Sequence, residues 1–186
     1  MKKALMAVLP VLLIVGVVVF PVRAEETLAQ FEGGIGVIPV SGGQGTEATA
    51  TTVNRNMVRG VQPAGQIWVI DDLEAQVTPD GRIQVKGEGL VLGGGNNVGR
   101  ATGQRVFATL ICEAAAPFTE HNSDLAGVPL APNGDFTIDD VLSPVPPDPC
   151  ANPVLFIRNA ANLNWFAAGI LTSDDNGSDD DESDDD

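Results

Sequence analysis

A chain of 186 residues with 25 acids, 10 bases and one histidine carries a formal charge of −15, a field that opposes nucleic acid and anionic membrane surfaces as partners. The length allows one domain of ordinary size with ragged ends. With 44% hydrophobic residues, 21 Gly, 13 Pro and no Tyr, the chain can bury a core but interrupts itself often, which favours short strands over long helices.

Residues 1–24 read as a signal peptide. Lys2 and Lys3 form a basic start, an apolar run of 17 residues follows from Ala4 to Phe20, and Val22 and Ala24 are the small residues a signal peptidase reads. An uncleaved anchor is the alternative, since 17 residues is long for the apolar stretch of a signal peptide and at the short end for a membrane span, but Pro21 and the Val-x-Ala pattern favour cleavage. The mature chain is expected to start at Glu25, in an extracellular or periplasmic setting. Losing Lys2, Lys3 and Arg23 takes the charge from −15 to −18; residues 173–186 hold nine of these negatives, and residues 25–172, with 16 acids and 7 bases, hold the other −9.

Residues 25–65 read as an N-terminal segment whose SGGQGTEATATT (41–52) is a flexible loop, and residues 66–172 as a β-sandwich core. IWVI (67–70) reads as a buried strand leading into Asp71 and Asp72. LEAQV (73–77), TPDG (78–81) and RIQVKGEG (82–89) form a β-hairpin with one wet face: Leu73, Ala75, Val77, Ile83 and Val85 alternate with polar residues around a turn in which Pro79 presets φ and Gly81 accepts positive φ. APNGDFTID (131–139) repeats this grammar 53 residues later and predicts a second hairpin, without enough matching positions for a duplicated domain.

GLVLGGGNNVGR (89–100) invites comparison with nucleotide loops. The dinucleotide fingerprint fails at Val98, and the phosphate-loop pattern fails because Arg100 and Ala101 follow Gly99, so a flexible inter-strand loop or bulge is the reading and no cofactor is expected. GQRVFATLICEA (103–114) suits a central strand, with Val106, Ala108, Leu110 and Cys112 on one face and Phe107 and Ile111 on the other. SPVPPDPC (143–150) is an extended, stiff connection delivering Cys150. In an exported chain the even pair Cys112 and Cys150 reads as a disulfide, whose loop closure contributes about 4 kcal/mol in the chain-entropy view. NPVLFIRNAANLNWFAAGIL (152–171) reads as a closing hairpin that carries Trp165 and Phe166 into the core. The fold class is therefore all-β, a single β-sandwich or small Greek-key barrel of short antiparallel strands.

Catalytic chemistry finds little support. His121, between Glu120 and Asp124, reads as a surface residue of a polar loop, since one histidine with two acids falls short of a metal set. Ser41, Ser123 and Ser143 lack a nucleophile elbow. Asp71, Asp72, Glu74, Asp139 and Asp140 could form carboxylate pairs only through the fold. The tail SDDNGSDDDESDDD (173–186) fails as an EF-hand: with Gly177 at position six, Thr172 and Ser183 occupy positions that need acids. It reads as a disordered, self-repelling segment that collects calcium or a cationic partner weakly and diffusely at Asp174, Asp175, Asp179, Asp180 and Asp181. A non-enzymatic exported module with a binding or structural role follows, with a small secreted hydrolase built on carboxylates as the alternative.

Overall fold

The computed structural model describes residues 26–44 and 52–172; the signal segment, the middle of the 41–52 loop and the acidic tail fall outside the described residues. Every regular element among the described residues is a strand: β1 (Ala29–Gly36), β2 (Val40–Gln44), β3 (Thr52–Arg55), β4 (Trp68–Val69), β5 (Asp72–Val77), β6 (Arg82–Glu88), β7 (Val91–Leu92), β8 (Arg105–Ile111), β9 (His121–Asn122), β10 (Val128–Pro129), β11 (Phe136–Val141), β12 (Val154–Asn159) and β13 (Trp165–Leu171). The chain is all-β, as its short alternating runs predict.

Nine strands form one antiparallel sheet in the order β10-β8-β12-β13-β1-β5-β6-β11, with β9 also beside β8. The sheet nearly closes on itself. Asn122 of β9 exchanges backbone hydrogen bonds with Ser143, just beyond β11: Asn122 N to Ser143 O at 3.0 Å and Ser143 N to Asn122 O at 2.8 Å. β2–β3 and β4–β7 are separate two-stranded ribbons.

The first hairpin forms as its pattern predicts. Leu73, Ala75 and Val77 of β5 and Ile83 and Val85 of β6 are buried and their polar neighbours exposed, while Gly81 takes φ +87° and donates to Thr78 O at 2.9 Å. The closing hairpin also forms, as β12 and β13 with Trp165 and Phe166 buried. The second predicted hairpin does not. Its turn is present, with Gly134 at φ +93° bonded to Ala131 O at 2.8 Å, but β10 pairs with β8 and β11 with β6. Turn chemistry sets only the local reversal. Partner choice follows the apolar face, and Ile138 of β11 stands opposite Val85 of β6, so the turn links the two ends of the sheet.

Two further expectations are corrected. The sheet does not begin at residue 66: β1, from the supposed leading segment, lies between β13 and β5 with Phe31 only 1% exposed. A bulge between Phe31 and Gly34 breaks the alternation that would have marked it. IWVI is not wholly buried either. Trp68 stacks on Phe166 at 3.9 Å, whereas Ile67 and Val69 are 43% and 42% exposed, because β4 pairs only with β7. That pairing also makes part of the glycine-rich segment a strand. Gly36 allows β4 to cross β1, since a Cβ there would lie 2.2 Å from Trp68 O.

The core fills the space inside the curved sheet, and β8 and β12 are buried on both faces. Phe107, Thr109, Phe156 and Arg158 share one face by register. Trp165 packs on Phe156 with centroids 5.9 Å apart, the Arg158 guanidinium lies 5.3 Å from the Phe107 ring centre, and Arg59 sits over Phe118 while donating to Glu113 O. The Cys112–Cys150 disulfide is formed; it ties the chain after β8 to the approach to β12, a bond that persists in oxidising compartments. The described chain enters and leaves at the same end of the sheet, where Thr172 N and Oγ1 both donate to Gln30 O, at 3.0 and 2.9 Å.

Candidate binding face

Outward residues of β1, β5, β6 and β11 stand in cross-strand rows. One row runs Glu32, Glu74, Lys86, Thr137, and the next runs Gln30, Gln76, Gln84, Asp139. Each strand supplies an apolar residue to the interior and a polar one to this face, which is the period-2 consequence of the same alternation that builds the core. Between these eight side chains lies a shallow trough of about 510 Å³ on the outer face of the sheet. Two smaller hollows continue it, one along Lys86, Glu88 and Thr137 and one along Thr78, Arg82 and Asp139.

The electrostatics of the trough are one-sided. Its three acids, Glu32, Glu74 and Asp139, face one base, Lys86. Lys86 Nζ is drawn to Glu88 Oε1 at 2.7 Å, and that hydrogen bond first, then the charges of Glu88, Glu74 and Asp72, holds its ammonium above the ordinary lysine range. Glu32 accepts from Gln30 Nε2 at 3.1 Å and Gln76 Nε2 donates to Thr27 Oγ1 at 2.8 Å. Glu32 stands directly opposite Glu74, a like-charge pair that works against the sheet. Neither these two nor Asp139 forms an ion pair with a described residue.

The carboxylates singled out in sequence separate. Glu74 and Asp139 share the trough, and Asp72 stands at its end opposite Glu88. Asp71 crowds Gly89, and Asp140 accepts from Asp124 N at 2.7 Å. The trough carboxylates stand exposed. Asp80 and Glu113 are both held below the ordinary carboxylate range, by the Thr78 hydroxyl and the Thr119 N–H respectively. That is the direction opposite to a general acid's need.

His121 is buried, not a surface residue. Its Nδ1 bonds Pro144 O at 2.8 Å, which ties it to the strap that follows β11, and its Nε2 has no hydrogen-bond partner among the described residues. Glu120 pairs with buried Arg158 at 2.7 Å. Ser123 Oγ accepts from Ala108 N at 3.0 Å and Ser143 belongs to the closing bridge; both hydroxyl residues serve the fold. The Ser41 side chain and the tail aspartates lie outside the described residues. Among the described residues no three His, Cys, Asp or Glu side chains are placed to hold a metal ion.

Comparison with known proteins returns no match: no family model, no curated protein and no solved structure is similar to this chain. The face was not foreseen in the sequence. Its rows depend on the registers of β1 with β5 and of β6 with β11, which join residues far apart in the chain; the only local signal was the polar half of each alternating run.

Proposed function

We propose that this chain is an exported, non-enzymatic β-module that binds a ligand on the trough of β1, β5, β6 and β11. The observation that supports this most is the ordered double row of amides and carboxylates around an open hollow on the outer sheet face. Export to an extracellular or periplasmic setting rests on the signal-like residues 1–24, with the Cys112–Cys150 disulfide in keeping with an oxidising compartment. The acidic tail then acts as a solubilising segment with weak, salt-sensitive cation uptake.

Two measurements test this. Amide-shift mapping of the isotope-labelled protein against a panel of peptides and oligosaccharides should place every saturable ligand on β1, β5, β6 and β11; clustering at the β2–β3 and β4–β7 ribbons instead overturns the assignment. N-terminal sequencing of the exported chain should start at Glu25, and recovery of a full-length, membrane-held chain refutes cleavage.

A further inference from the structure

We infer that the occupant of the trough is an extended, lysine- or arginine-rich peptide segment of another protein. The inference rests on the trough being the binding face and adds the chemistry of what fills it. Charge comes first. Glu32, Glu74 and Asp139 lack ion-pair partners among the described residues, and the one trough cation, Lys86, is already engaged by Glu88, so the face presents uncompensated negative charge to a cation. An anionic polymer is repelled by the same field.

Shape and hydrogen bonding narrow the class. The trough's outward side chains include no aromatic ring, because Phe31 and Phe136 turn inward and are buried; a neutral sugar therefore lacks a stacking platform. The three glutamines in one row offer donors and acceptors to peptide N–H and C=O groups. Spacing fits as well. A ligand running obliquely over the strands meets Glu32, then Glu74 one strand on, then Asp139 two strands further and one row along, at about 0, 5 and 16 Å from Glu32 given the usual inter-strand distance and strand rise. Alternate side chains of an extended peptide recur about every 7 Å, so three basic residues on one side of it reach all three carboxylates.

The test is amide-shift titration of the full chain with a nine-residue peptide alternating lysine and serine, beside cellotetraose and a peptide alternating glutamine and serine. The expected result is saturable shifts along β1, β5, β6 and β11 with the lysine peptide alone, an affinity that falls as NaCl rises, and about two- to five-fold weaker binding for Glu74→Gln and for Asp139→Asn, the size of an exposed ion pair. Asp148→Asn, in the proline-rich connection away from the trough, leaves affinity unchanged. Shifts confined to the acidic tail overturn the inference. Trough binding of cellotetraose or the glutamine peptide without the lysine peptide also overturns it, while leaving the trough as the binding face. If no probe moves the trough, both readings fall.

Discussion

The two halves of the sheet obey the same pairing rules and end in opposite states. Along β5 and β6 burial alternates strictly, so one face belongs to the core and the other to solvent. Along β8 and β12 nearly every residue is buried, with Phe107 and Phe156 on the outer face packed against the Arg158 guanidinium and the Trp165 ring. Stability concentrates where both faces are covered. Binding capacity remains where one face is bare, and polar residues there are available to a ligand because the core does not need them.

Substitutions can break this contrast. Phe156→Ala, on the doubly covered half, should destabilise by about 3–5 kcal/mol, whereas Gln84→Ala on the bare face should stay within about 0.5 kcal/mol; denaturant melts of both variants check the difference, and equal losses would erase it. Gly36→Ala pushes a Cβ against the Trp68 carbonyl and should lose about 1–3 kcal/mol as β4 is displaced, read as a lower midpoint and altered Trp68 fluorescence. Glu120→Ala leaves the buried Arg158 guanidinium without its carboxylate and should lose about 1–3 kcal/mol, with Glu120→Gln recovering part of it.

The smallest effect concerns the bare half's own turn. Asp80 is held below its ordinary range, chiefly by the Thr78 hydroxyl, so its contribution is present above the ordinary carboxylate value of about 3.9 and is lost as pH falls below it. Asp80→Asn should slightly lower the melting midpoint at pH 7, and this difference should vanish in acid. A difference that grows on acidification contradicts the sign.

Legibility in the sequence followed locality. The β5–β6 hairpin, the β8 strand, the closing hairpin and the cysteine pair were each readable, because alternation, turn residues and parity are visible within a short window. β1 was not, since its glycines and bulge blur the alternation that Ala29 and Phe31 begin. The 131–134 turn was readable but its consequence was not: which strand accepts β11 depends on the match of Ile138 with Val85, more than fifty residues away. His121 looked like surface because its neighbours are charged, yet β9 pairs on both sides and leaves its ring no route to solvent. The trough shares this dependence on distant register.

The adjacency of Gln30 and Thr172 has a mechanical consequence. β1 and β13 are antiparallel neighbours whose outer ends emerge together, so tension applied between the termini peels their hydrogen bonds one at a time and does not shear them together. The module should therefore yield at low force, opening from that end and stripping the β1 side of the trough first. The residues between Cys112 and Cys150 add no length to the stretched chain while their disulfide is intact, so the extension per unfolding event in a pulling experiment should rise when the bond is reduced.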